Sequence, residues 1–339
     1  MSKRITLCNN CVARDFHTLL TFRGNEGYDF LGDSFDVVVC KRCGLCFLHP
    51  RPAASAYAAY YSGGLGSRKK RNNTLSKESI LDKKRYQEWY ADWVVRHWGL
   101  PKTASVLEVG CGMGAFLYFL KERGYENVSG VEMGEEAAQK AQDVFGVPIT
   151  VGDFFSQAYS PGSYDAVVGI ALIEHMLDPR AAIKRMGEAL KPGGVLYLNT
   201  PDLYGMTFRK QFFKFVHTYY FTSVTLSSLL EQEGFEVERM LSVPLLKRHS
   251  NIFFPENCIP GEIHIIAKKT GIKKTFKKEK HQDIVRLCSS TKIKELPYLA
   301  ANKLFLNKYA GPLRTLRARF RDAYKKNPKS EMKEFFETI

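Results

Sequence analysis

The chain has 339 residues, 45% hydrophobic and 25% charged, which excludes a disordered, collagen-like or fibrous protein and suggests about two domains. Its longest apolar run, residues 166–173, falls far short of the roughly 20 residues a membrane-spanning helix needs; the first residues lack a signal-peptide core, so the expected compartment is the reducing cytosol. The net charge of +15 is concentrated in residues 268–339, with 20 Lys or Arg against 7 Asp or Glu, so the body of the chain is near neutral.

Five of the eight cysteines fall in the first 46 residues. Cys8-x2-Cys11 and Cys40-x2-Cys43 form two knuckle pairs, and four thiolates suit a tetrahedral structural zinc with no open position. Cys40, Cys43, Cys46 and His49 recur in steps of three, so Cys46 or His49 competes for a ligand place, and the run also admits iron–sulfur ligation. The long gap between the pairs calls for a short hairpin. Residues 1–62 thus read as a zinc-binding module ending in Pro50-Arg51-Pro52 and the aromatic run Tyr57, Tyr60, Tyr61. Residues 63–100 read as a linker, to about 77, and a leading helix over 78–98, where Ile80, Leu81, Tyr86, Trp89, Tyr90 and Trp93 make an apolar stripe.

From 101 to 269 short apolar runs alternate with helical patterns. Strands are predicted at 106–109, 128–131, 149–151, 166–170 and 195–199, and helices at 115–123, 135–145 and 181–190. The alternation implies right-handed crossovers in an α/β fold, its mostly parallel sheet covered by helices on both faces. The runs 235–243 and 262–268 have no helix-length pattern between them and read as an antiparallel edge hairpin.

Gly110, Gly112 and Gly114 sit where the first strand turns into a helix, the place where open α/β sheets bind ligands. Glu132 ends the second strand, where an acid can accept hydrogen bonds from ribose hydroxyls. Gly110-x-Gly112-x-x-Ala115 also satisfies a dinucleotide fingerprint, so two cofactors compete. Three features favour S-adenosylmethionine (SAM). The third glycine falls at Gly114; Glu108 can reach a positively charged aminoacyl group; Asp153 can bind an adenine amino group. The competing reading makes these acids solvated loop residues.

These segments, 106–116, Val131-Glu132, Gly152-Asp153 and Leu190-Lys191-Pro192-Gly193-Gly194-Val195-Leu196, resemble the successive motifs of class I SAM-dependent methyltransferases, over about residues 78–269. The resemblance implies a Rossmann-like seven-stranded sheet whose last hairpin strand is antiparallel. It implies that Glu108, Gly110, Gly112 and Gly114 hold the methionine end, Glu132 the ribose, and Asp153 with Phe154 the adenine. Cys111, Met133 and Ile170 complete the implied cofactor set. Cys43-Gly44-Leu45-x-Phe47 resembles the zinc-ribbon-like segment that precedes many such methyltransferases.

Glu174-His175-Met176-Leu177-Asp178-Pro179 is similar to the E-H-x-x-D-P segment of methyltransferases acting on small molecules. The (N/D)-P-P-(Y/F) motif of base amino-methylating enzymes is missing there, which counts against a nucleic-acid base. A hydroxyl acceptor benefits from a base with a pKa near 7, making His175 a candidate, unless it only orients its loop. His217 is the rival. Residues 215–226 with Gly234-Phe235 resemble a segment of methyltransferases from glycan and antibiotic-sugar pathways that covers the active site. Tyr219, Tyr220 and Phe221 either pack that lid or face the acceptor.

The expected function is methyl transfer from SAM to a small molecule or glycan, at a sugar hydroxyl. The alternatives are an RNA methyltransferase, suggested by the zinc ribbon and basic tail, and a SAM-binding subunit without catalysis. Residues 270–339 form a basic helical extension. Lys268 to Lys280 read as an exposed linker. Leu313, Leu316, Phe320 and Tyr324 then share a helical face amid Arg314, Arg317, Arg319, Arg321, Lys325 and Lys326. That helix either lies on an anionic inner membrane surface or polyanion, or docks on the chain's own body.

Overall fold

The computed structural model describes residues 7–23, 34–51, 53–55, 57, 76–156, 161–206, 213, 216–242 and 261–290. Residues 1–291 form one compact unit and 292–339 a second. The amphipathic pattern at 313–326 lies outside the described residues, as do Tyr60, Tyr61 and the linker up to 75.

Three antiparallel strands open the chain: β1 (Phe16–Arg23), β2 (Ser34–Cys40) and β3 (Cys46–His49). The β-branched run Val37-Val38-Val39 suits the pleat, and the period of two divides its side chains between two cores. Val38, Cys40 and Phe47 join one; Phe35, Val37, Val39, Cys46 and Leu48 join the other. A fourth strand, β9 (Tyr219–Tyr220), comes from far along the chain and pairs antiparallel with β3, Cys46 opposite Tyr220 and Phe47 opposite Tyr219.

The single helix expected at 78–98 is two, α1 (Lys77–Lys83) and α2 (Arg85–His97). Lys84 separates them because its N–H turns back to the carbonyls of Ile80 and Leu81, closing α1. Tyr90, Ala91 and Val94 of α2 are fully buried, the one-four spacing of a helix face.

The seven-stranded sheet contains β4 (Val106–Val109), β5 (Val128–Glu132), β6 (Ile149–Val151), β7 (Tyr164–Ile170), β8 (Leu190–Pro201), β10 (Phe235–Ser242) and β11 (Glu262–Lys269). Its order is β10-β11-β8-β7-β4-β5-β6, and β4 to β8 pair in parallel. The last strand, β11, runs antiparallel between β8 and β10, as the hairpin pattern predicted. β8 begins five residues before the predicted strand, because Leu190 already pairs with Tyr164 and a register shift absorbs the Pro-Gly-Gly stretch.

Helices cover both faces. Val106, Val128, Ala166, Val168 and Tyr197 meet α2, α3 (Ala115–Lys121) and α4 (Glu135–Phe145). Leu107, Val109, Val167, Leu196 and Ile265 meet α5 (Pro179–Ala189) and α7 (Ser223–Gln232), a core shared with Cys8, Cys11, Cys40 and Cys43. Each such aliphatic side chain contributes about 1.5–3 kcal/mol of burial. A short helix, α6 (Leu203–Met206), follows β8.

Residues 270–280 differ from the linker expected there. Their side chains are mostly exposed, but their backbone is strapped along α7. Thr270 and Gly271 N–H donate to Gly234 O, Lys274 N–H to Glu231 O, Lys277 N–H to Ser228 Oγ, and Glu279 N–H to Cys43 O. The strap leads to α8 (His281–Ser290), whose Ile284 is buried beside β2.

Candidate active site and cysteine centre

β4 delivers the glycine turn. Gly110 has φ +70°, and a Cβ there would come within 2.9 Å of Leu172 Cδ1. Gly112 has φ +54° and nothing within 4 Å of where a Cβ would stand, so this side of the turn is open. Cys111 between them turns inward: its side chain is 7% exposed and lies in the core with Gly130 and Ile149. Its sulfur therefore faces away from the open side.

Glu108, two residues before Gly110, is 1% exposed. Its Oε2 is buried with no hydrogen-bond partner. Burial pushes its carboxyl well above the usual range, with Glu132 adding to the rise and Lys84 opposing it. A lone buried carboxyl oxygen is costly unless a cation or donor meets it.

Glu132 leans toward the turn. Its Oε2 accepts the Gly112 N–H and its Oε1 the Gly134 N–H, both at 2.8 Å. Asp153 follows β6, accepts the Phe155 N–H at 3.2 Å, and stands beside the buried Phe154. Met133 is half-buried after Glu132, and Ile170 ends β7 at 7% exposure. All these residues gather at the carboxyl ends of β4 to β7, the ligand side of such a sheet.

The chain leaves β7 through Ala171, a non-glycine residue at φ +47°, and enters a single turn, Ile173–His175. His175 Nδ1 lies 2.8 Å from Val216 O, so that nitrogen carries the proton and donates it. The assignment leaves Nε2 as the acceptor, 3.8 Å from Glu174 Oε1. Glu174 is 2% exposed and accepts a 2.9 Å hydrogen bond from Thr200 Oγ1. Burial raises its pKa to about 8. The His217 ring sits edge-on to His175 with centroids 4.9 Å apart, and ligand atoms of Glu174, His175 and His217 lie within 4.8 Å of one another. The two histidines named from sequence are thus neighbours, not alternatives at separate places. Glu174 was legible as the first residue of the E-H-x-x-D-P segment, but its burial beside the imidazole was not.

Asp178 N-caps α5 by accepting the Ala181 N–H, with Pro179 in the first helical position. Thr222 and Thr225 form a reciprocal capping box at α7. Tyr219 and Phe221 stack with centroids 5.9 Å apart, both buried, and Tyr220 packs on Phe213, so these three aromatic residues belong to the cores.

The cysteine centre is built from two turns. Cys8 Sγ lies 3.5 Å from Cys43 Sγ, and Cys11 Sγ 3.5 Å from Cys40 Sγ; all four sulfurs fall within 4.8 Å of each other and are buried. Zn–S bonds of about 2.3 Å in a tetrahedron require sulfur separations near 3.8 Å, so the group fits zinc. Hydrogen bonds from Cys11 and Cys43 lower the Cys40 thiol, while bonds with Cys11 and Cys40 raise Cys43: the four cannot all ionise without a cation. Cys46 points to the opposite face of β3, into the core with Leu48 and Tyr220.

Residues 81–239 match the family model described as a methyltransferase domain. The ubiquinone biosynthesis O-methyltransferase of Pseudomonas aeruginosa is 31% identical over 115 residues, covering 32% of this chain and 49% of that protein. Its counterpart in Xanthomonas campestris pv. campestris is 34% identical over 116 residues, 32% of this chain and 47% of that protein. The chain thus spans about half the length of the curated relatives it matches. Among solved structures, an S-adenosylmethionine-dependent methyltransferase from Mesorhizobium loti aligns at 19% identity and TM-score 0.42, over 52% of this chain and 97% of that one. Residues 81–239 match a methyltransferase domain, and the Rossmann-like seven-stranded sheet that carries this match is completed beyond it by β11.

Proposed function

We propose that the chain is a SAM-dependent methyltransferase acting on a hydroxyl of a small molecule or glycan, with a sugar hydroxyl as the acceptor favoured by its sequence. The observation that carries the cofactor assignment is Glu108: a buried carboxyl oxygen without a partner, beneath a glycine turn whose Gly112 side is open. Those residues fit a ligand with a cationic aminoacyl end. The matched relatives are named for O-methylation, which supports oxygen as the nucleophile.

When bound, SAM supplies a sulfonium-activated methyl group. Glu108 would hold its ammonium, Glu132 its ribose hydroxyls, and Asp153 with Phe154 its adenine. His175 takes the acceptor hydroxyl's proton at Nε2, since Nδ1–H is committed to Val216 O. The new C–O bond would form as the methyl–sulfonium bond breaks, its electron pair staying on sulfur to leave a neutral thioether, while the hydroxyl proton passes to the imidazole. Glu174, once ionised, steadies the imidazolium, and Thr200 keeps its other oxygen in place. His217 buttresses the imidazole edge-on. The enzyme's main work is alignment of nucleophile and methyl and exclusion of water. A structural zinc on Cys8, Cys11, Cys40 and Cys43 belongs to the same proposal, as does attraction of an anionic acceptor or surface by the basic segment after 268. The test is methyl transfer from labelled SAM to a panel of sugar nucleotides and phenols, using the full chain. O-methylated product supports the reading; labelled RNA with no labelled small molecule overturns it.

A further inference from the structure

We propose that Thr218 and Asn9 are positioning residues through which the cysteine module sets the loop carrying His175. The consequence for turnover rests on the methyltransferase reading above; the tie itself stands on hydrogen bonds.

Thr218 is fully buried and touches both sides. Its carbonyl accepts the Leu48 N–H at 2.9 Å, and its own N–H donates to Glu174 O at 2.7 Å. Its hydroxyl lies 2.9 Å from Glu174 O and 2.6 Å from Met176 O, donating to either. Leu48 belongs to β3, which starts three residues after Cys43 and pairs with the strand ending at Cys40. One residue therefore links the metal-ligand strands to the carbonyls flanking His175.

Asn9 grips the other end. It sits inside the Cys8–Cys11 knuckle; its Nδ2 donates to Asp178 Oδ1 at 2.9 Å, and its Oδ1 accepts the Arg180 N–H at 3.1 Å. Asn10 beside it accepts at Oδ1 from Ser228 and Gln232, and at its carbonyl from Arg180 Nη2. The loop from Glu174 to Asp178 is thus held at both ends by residues whose own positions depend on the four-cysteine geometry. In contrast, the glycine turn is held by Glu132, by Val131 O and by the carbonyl of its own Cys111. Loosening the module should misalign His175 while leaving the cofactor half intact.

The test uses the full chain carrying Thr218→Val, Thr218→Ser or Asn9→Ala. Metal content, hydrogen exchange of residues 173–181 and 106–116, SAM affinity, and kcat and KM for the acceptor are measured on each. Expected for Thr218→Val and Asn9→Ala are unchanged metal, exchange at 173–181 faster by about three- to tenfold, and kcat lower by a similar factor. SAM affinity and exchange at 106–116 should hold, and Thr218→Ser, which keeps the hydroxyl, should restore wild-type values. Chelation of the metal should speed exchange at 173–181 before 106–116. Unchanged exchange at 173–181 in both variants overturns the proposal, as does equal acceleration at 106–116. If wild-type protein neither binds SAM nor turns over, the methyltransferase reading fails, and the exchange result still decides the tie.

Discussion

Glu132 and Gly112 are joined by a 2.8 Å hydrogen bond from the Gly112 N–H to Glu132 Oε2. The same carboxylate takes the Gly134 N–H on its other oxygen, so it fastens the tip of the glycine turn to the entrance of α4. Glu132 therefore shapes the turn, and in the proposed site it would also receive the ribose hydroxyls. Glu132→Ala should weaken SAM by about 1–3 kcal/mol through lost charged hydrogen bonds and a loosened turn. Glu132→Gln, which keeps one acceptor, should fall between. Unchanged affinity by calorimetry in the alanine variant removes Glu132 from the site.

The sulfur geometry predicts one zinc per chain. Cys43→Ser should lose it; Cys46→Ser should keep it, because Cys46 faces the other core. Elemental analysis of protein purified without chelators checks both, and a value near zero in the wild type contradicts the assignment.

His175→Ala should reduce turnover strongly and His217→Ala less, since in the proposed mechanism His175 Nε2 takes the proton and His217 packs edge-on against that ring. Both should keep SAM affinity. Rates measured across about pH 6–9 decide it: if both variants match the wild type throughout, neither histidine moves the proton.

Glu174 gives stability a pH signature. Its folded pKa of about 8 lies above the ordinary 4.5, so the folded chain holds a proton that the unfolded chain releases. The stabilisation is fully present below 4.5 and is lost as pH rises to about 8, by at most about 1.4 kcal/mol per unit. Glu174→Gln cannot ionise and should flatten that part of the profile. Urea unfolding midpoints at about pH 5 and 8 test it; equal slopes in wild type and variant sink the explanation.

The sheet was readable because β4, β6 and α4 carry dense local signals: apolar runs bounded by glycine, and a helix closed by Gly146 in the left-handed region. The glycine turn and its acids were readable for the same reason, each lying next to a strand end. What stayed hidden depends on partners distant in sequence. β9 is two residues long and exists only because Cys46 and Phe47 pair with it. The strap at 270–280 looks like a charged linker until Gly234, Glu231 and Cys43 accept its N–H groups. The four cysteines chosen from spacing, Cys8, Cys11, Cys40 and Cys43, do come together; only the place of the competitor Cys46, on the other face of β3, needed the fold.

The proposed SAM site rests most directly on Glu108 Oε2, buried without a hydrogen-bond partner. Titration calorimetry of the full chain with SAM, run beside Glu108→Gln, measures it directly. Saturable binding of one SAM per chain is expected, weakened by about tenfold or more in the variant, which keeps the shape but loses the charge. No binding of SAM by the wild type, or equal affinity in the two proteins, would contradict it.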